Sequence, residues 1–299
     1  MTGAAMTAVP TSAGRVPRML GPSMAFPASL VVLLIIMVPI LMLFRYSFNH
    51  FDTVEMMQEA FTFENYVRFF ADPYYRDVFI TTVWVAALCT VLALVLGFPV
   101  AYFLAKTQSR YKSLFIILLV FPLMVGNVVR AAGWMVILGN AGALNTVLVG
   151  LGLAAEPVQF MYTPTAVVIG TTAVVMPYLI LTLQSVLEGI DFSVEEAAQN
   201  LGAGFLTTFR RVLLPIAAPG VAAGTMLVFI LCMNAYATPV LLGGTGLTMM
   251  APALYDQITR ASNWPFGATL ALVLVCGTLL LALLSNWLIH RRYVRTMAS

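Results

Sequence analysis

The sequence has 299 residues, of which 61% are hydrophobic and 9% are charged, with a formal net charge of +3. Soluble domains carry about 25% charged residues, so this balance excludes an ordinary water-soluble protein and predicts a chain embedded in a bilayer. Two histidines, three cysteines and lysines only at 106 and 112 also exclude most enzyme chemistry. No Gly-Lys-Ser/Thr loop is available to hold nucleotide phosphates, no Cys-x-x-Cys pair for zinc or redox work, and no basic stripe for nucleic acid.

In chain order, residues 1–23 form a tail carrying Arg15 and Arg18. Crossing a hydrocarbon core takes about 20 mostly apolar helical residues, and six segments qualify, which predicts an all-α polytopic membrane protein. The first, Met24 to Phe44, is uncharged and longer than the apolar core of about 7–15 residues in a secretory signal, so it reads as an uncleaved helix. With the loop Arg45 to Asp77 it fills residues 24–77. The second span runs from Val78 to Ala105 and stops at Lys106, and the third runs from Leu114 to Trp134 with Arg130 as its only charge. The fourth lies within Pro157 to Leu187.

The fifth span is expected over Ile216 to Ala237, after Pro215 and before Pro239 and Gly243-Gly244-Thr245-Gly246. The uncharged remainder, 238–255, is expected to lie at the interface or to fold into the protein mouth, because lipid does not tolerate exposed irregular backbone. The sixth covers Phe266 to Ile289, with Trp264 as an interfacial anchor, and closes a core of 78–290 before the tail 291–299. Cys89, Cys232 and Cys276 sit singly in apolar runs and read as small hydrophobes. His50 and His290 fall on opposite sides of the membrane and cannot share a metal.

Orientation follows the positive-inside rule. Arg15, Arg18, Lys106, Arg110, Lys112, Arg210, Arg211, Arg291, Arg292 and Arg295 share one side, whereas Arg45, Arg68, Arg76, Arg130 and Arg260 share the other. Both termini are therefore expected in the cytoplasm. The first external loop holds Asp52, Glu55, Glu59, Glu64, Asp72 and Asp77 against three arginines. It reads as a solvated loop, or as a docking surface for an external partner.

The segment 189–215, between the fourth and fifth spans, is the most informative. Ser193 and Glu196 have capping-box spacing for a helix beginning at Val194, Gly202 stands where a left-handed stop is wanted, and Pro215 is expected to end a second short helix. Phe205, Phe209 and Val212 are spaced to give that second helix an apolar edge.

The string Glu196-Ala197-Ala198, three residues, Gly202, nine residues, Val212-Leu213-Leu214-Pro215 resembles the EAA motif of ABC importer permeases, with Val212 in place of isoleucine. Phe121-Pro122, Gly133-Trp134-Met135-Val136-Ile137-Leu138-Gly139-Asn140, Thr238-Pro239-Val240-Leu241-Leu242-Gly243-Gly244 and Asn263-Trp264-Pro265-Phe266-Gly267-Ala268 are similar to spermidine/putrescine-type permeases. The resemblance implies a type I importer transmembrane domain, in which Glu195, Glu196, Ala197, Ala198, Gly202, Val212, Leu214 and Pro215 couple the chain to a separate ATPase. It implies a second related permease subunit, two ATP-binding subunits holding ATP and Mg, and an external solute-binding protein. It implies no cofactor in this chain and no nucleic-acid partner. The solute implied is a polyamine; an amino acid derivative, a phosphonate, iron or thiamine are the alternatives within the class.

Asn127, Arg130, Gln184, Asn234 and Tyr236 are the polar residues in or beside spans that could line a pathway. Arg130 lies 16 residues beyond Leu114, about 24 Å along a continuous helix, which predicts a position near the outer interface. No Asp or Glu falls inside a span, although Glu188 ends the fourth. A proton- or sodium-coupled secondary transporter needs intramembrane carboxylates or matched broken-helix repeats, so it is the weaker reading.

Overall fold

The structure is a computed structural model describing residues 20–244 and 246–297; Arg15 and Arg18 of the first tail lie outside the described residues. Twelve α-helices are present among the described residues: α1 (Leu20–Tyr46), α2 (Glu64–Ala71), α3 (Pro73–Lys106), α4 (Lys112–Met124), α5 (Asn127–Leu138), α6 (Ala143–Gly150), α7 (Pro164–Glu188), α8 (Ser193–Asn200), α9 (Phe205–Thr208), α10 (Leu214–Met233), α11 (Met250–Thr259) and α12 (Trp264–Met297). Wider π-helical turns occupy Phe209–Leu213 and Pro239–Gly243. The protein is an all-α, multi-pass membrane protein, and six helical stretches are long and apolar enough to cross a membrane.

Four of those stretches, those of α1, α3, α7 and α12, follow the uncharged runs of the sequence, with α1, α3 and α12 extending beyond them. At 34 residues, α3 is about 51 Å long and exceeds a hydrocarbon core of about 30 Å. The third span departs from expectation. No single helix runs from Leu114 to Trp134: α4 ends at Met124, Val125 and Gly126 are extended (ψ 132° and 145°), and a second apolar stretch, Asn127–Gly150, begins, made of α5 and α6 with extended Gly139 and Gly142 between them. Pro122 explains the break, since it removes a backbone donor from the last turn of α4. Apolar composition hid it, because neither Val125 nor Gly126 carries a polar side chain that would mark the change of backbone.

The core is built from α3, α7 and α10, which bury Ala86, Cys89, Ala93 and Ala101, Ala166, Leu179, Leu183 and Leu187, and Ala217, Val228 and Cys232. Small residues permit the close packing that associates helices where lipid supplies no hydrophobic drive. At Gly220 of α10, a Cβ would lie 2.2 Å from Cγ1 of Val186 on α7. By contrast, α1 packs beside α12 and leaves its apolar surface exposed.

The loop 45–77, expected outside the membrane, is folded rather than simply solvated. Asn65 donates to the carbonyls of Ser47 (3.0 Å) and Asn49 (2.9 Å), and Phe48 stacks on Phe61 at 4.6 Å. His50 Nδ1 lies 2.9 Å from the Glu64 carboxylate. The fifth span is α10, ending at Met233 rather than Ala237. Residues 238–255 then fold into the protein: Leu242 and Met249 are fully buried, and α11 packs against α12 and α3.

Candidate functional site: an exposed apolar edge and an inner cavity

At one end of the bundle, α8 and α9 lie beside the ends of α3 and α7. The Ser193–Glu196 capping box does not form. Phe192 already has helical geometry (φ −68°, ψ −6°), so Ser193 is the first helical residue and its hydroxyl makes no cap. Asp191 takes over instead: its Oδ1 accepts from the Ser193 amide at 2.9 Å, which holds this exposed carboxyl below its usual range.

The two glutamates that follow point in different directions, as successive helical residues must, about 100° apart. Glu195 is 3% exposed. It accepts from the Tyr102 hydroxyl at 2.8 and 2.9 Å, from Lys106 Nζ at 2.9 Å and from Gln199 Nε2 at 3.1 Å. Glu196 and Ala197 are exposed, and Ala198 is half-buried. Gly202 ends the turn at φ +87°, a left-handed geometry with open space around it.

Beyond it stand Leu201, 90% exposed, with Phe205 and Leu206, 61% and 65% exposed. Apolar side chains so displayed beside Glu196 form a surface that water does not favour. Behind them, Phe209 meets Phe98 edge-on at 5.2 Å, while Tyr102 lies 6.2 Å from both Phe192 and Phe205.

Pro215 does not end the second helix. Helical backbone continues from Phe205 to Met233, because the π turn shifts the pairing: the Leu214 amide donates to the carbonyl of Phe209, five residues back, and Pro215 enters α10 at a position needing no donor. Val212 and Leu214 are half-buried along this turn.

Further along the bundle is a cavity of about 410 Å³, lined by Asn127 of α5, Thr171 and Tyr178 of α7, and Asn234, Tyr236 and Thr238 where α10 uncoils. It brings together three of the five polar residues picked out as pathway candidates. Arg130 is not among the lining residues; three residues along α5, it donates to Asn127 Oδ1. Its depth does not follow from counting along one helix, since it sits in the first turns of α5, past the break at Val125–Gly126. Gln184 does not reach the cavity: it is buried six residues past Tyr178, and donates to Glu188 at 3.1 Å.

Thr171 and Tyr178 were missed by sequence reasoning. They are seven residues apart, so two helical turns put both on one face of α7, and that spacing is the signal that could have found them. Tyr236 also lies 5.0 Å, ring to ring, from Tyr255, and borders a second cavity of about 360 Å³ that includes Asp256 and Arg260.

Residues 90–293 match the family described as binding-protein-dependent transport system inner membrane component. The chain belongs to this family. As such a permease, it is 34% identical to the spermidine/putrescine transport system permease protein PotB of Escherichia coli K12 over 252 residues, covering 84% of this chain and 91% of that one. Its identity to PotB of Haemophilus influenzae is 32%, covering 86% and 91% of the two chains. The permease shares its fold with a bacterial alginate ABC transporter solved in complex with an alginate-bound periplasmic protein: TM-score 0.73, 16% identity, 92% and 95% coverage. It also resembles the MetNI methionine ABC transporter in inward-facing form, with TM-score 0.55, 17% identity and 74% and 98% coverage.

Proposed function

We propose that this permease forms half of the translocation pathway of an ATP-driven importer for a polyamine of the spermidine/putrescine type. The observation that carries the solute class is the 34% identity to a permease of that name over 84% of the chain. The cavity is chemically compatible: Tyr178 and Tyr236 offer aromatic faces to an ammonium group, and Asn127 and Asn234 offer amide oxygens. Asp256, bordering the adjoining cavity, supplies a carboxylate, which there pairs with Arg260 at 3.2 Å.

In this reading a second, related permease chain completes the pathway, and an external solute-binding protein delivers the solute. Two cytoplasmic ATP-binding subunits hold the ATP and Mg. Both termini and the segment 189–215 face the cytoplasm, in keeping with the ten Lys and Arg on that side. The ATPase docks on Glu196, Ala197, Leu201, Phe205 and Leu206, burying apolar surface that is otherwise wet. Closure of the ATPase dimer moves α8 and α9, and the continuous helix from Phe205 to Met233 carries that motion to Asn234 at the cavity. The pathway alternates between outward and inward access.

Arg130 supports a second solute class within the same importer type. Its Nε and Nη1 are buried without partners one helical turn from Asn127 of the cavity lining, which suits an anionic or zwitterionic solute better than a polycation. Uptake of labelled spermidine into proteoliposomes holding the full complex decides between them. ATP-dependent uptake supports the polyamine; uptake of an anionic solute alone removes it. Uptake that survives a hydrolysis-defective ATPase removes the importer mechanism altogether.

A further inference from the structure

The chain's only two lysines flank one short link, residues 107–111, between α3 and α4. Each is paired with a glutamate bordering or beginning the coupling segment: Lys106 with Glu195 at 2.9 Å, and Lys112 with Glu188 at 2.7 Å. Charged residues are scarce here, so two ion pairs closing on the same link call for a physical account. Glu195 has a side chain only 4% exposed, a placement tolerated because Lys106, Tyr102 and Gln199 all donate to it. Lys106 also lies 5.6 Å from the Tyr102 ring and 5.8 Å from the Phe192 ring, which fixes its direction. The second pair is more open, with Lys112 28% and Glu188 39% exposed.

We propose that these two lysines form an electrostatic strap through which the coupling segment drives α4 and, beyond it, the cavity wall. This rests on the coupling role proposed above for segment 189–215. Displacing α8 pulls the end of α3 through Glu195 and Lys106. The link from 106 to 112 reaches no more than about 20 Å when fully extended, which bounds how far the ends of α3 and α4 can separate. Lys112 and Glu188 meanwhile hold the start of α4 to the end of α7. Motion entering α4 is redirected at the extended pair Val125–Gly126, where a Cβ on Gly126 would meet nothing within 4 Å, and arrives at Asn127 in the cavity lining. The coupling segment thus has two routes to the pathway: directly into α10, and through the lysine strap into α4 and α5.

The strap is tested in the full transporter complex in nanodiscs and proteoliposomes, by measuring ATP hydrolysed per solute taken up. Lys106→Met and Lys112→Met are each expected to assemble and to raise that ratio by about tenfold, the scale of coupling carried by a single network contact. Lys106→Arg and Lys112→Arg keep the charge and are expected to stay near the wild-type ratio. The charge reversal Lys106→Glu with Glu195→Lys is expected to recover most of the loss seen for Lys106→Glu alone. Wild-type ratios in both methionine variants overturn the strap, as do arginine variants that fail as badly as methionine. If Lys106→Met does not assemble, Lys112→Met, whose pair is the more exposed, decides alone. Gly202→Leu, which the left-handed backbone at this position disfavours, is the control for the underlying reading: if it too leaves stimulated hydrolysis and uptake at wild-type levels, the coupling role of segment 189–215 fails, independently of the lysines.

Discussion

Gly202 permits a quantitative test of the turn that presents the coupling surface. Its φ of +87° is a conformation that costs an L-residue about 1–2 kcal/mol, while a Cβ there would meet nothing within 4 Å. The penalty of substitution is therefore one of backbone alone, and it should not grow with side-chain size. Gly202→Ala and Gly202→Leu are expected to weaken the turn by similar amounts, and Gly202→Asn by less, since Asn tolerates left-handed geometry. A cost of 1–2 kcal/mol corresponds to opening of the turn about 5–30 times more often. Hydrogen exchange of the amides of Leu201, Gly202 and Ala203, which bond back to Ala197, Gln199 and Ala198, reads that change directly in the assembled complex. Binding-protein-stimulated ATP hydrolysis should fall in the same order. Equal exchange in the Ala, Leu and Asn variants, or a Leu variant far worse than Ala, would falsify the backbone argument.

The opposite kind of glycine is Gly220, where a Cβ would come within 2.2 Å of Val186. Gly220→Ala should lower thermal stability by about 1–3 kcal/mol through overpacking, and Val186→Ala in the same chain should recover much of it; an unrecovered double variant removes the steric explanation. Asn145, 1% exposed, donates to Gly139 and Val158 and accepts from Val158, so Asn145→Ala should cost about 2–4 kcal/mol in denaturation, and a loss below 1 would sink the prediction. Asp191 accepts from the Ser193 amide, so its folded pKa lies below its unfolded one. Its contribution is complete above about pH 4 and disappears only as pH falls through the lowered folded value. Asp191→Ala should accordingly speed exchange at the start of α8 equally at pH 5.5 and 8.5, and an effect confined to one of those values would refute it.

What could be read from the sequence divides by range. Long uncharged runs located the crossings of α1, α3, α7 and α12, since burial in lipid is a property of composition over about 20 residues. The same measure could not see Val125–Gly126 or the π turn at Phe209–Leu213, because both are changes of backbone pairing within apolar text. In the coupling segment, Gly202 was legible as a left-handed stop from its place after a short helical run. The Ser193–Glu196 cap was a false inference of the same local kind, overridden when Phe192 joined the helix. Glu195 lies at the other limit. In sequence it is one of two adjacent acids with nothing to tell it from Glu196, and its bond to Lys106 spans 89 positions. Only the packing of α8 across the end of α3 sends one carboxylate inward to Tyr102 and Lys106 and leaves the other exposed. Under the proposed coupling role, that division between neighbouring acids, one left for a partner and one committed to the bundle, would let a helix of eight residues both receive a push and pass it on.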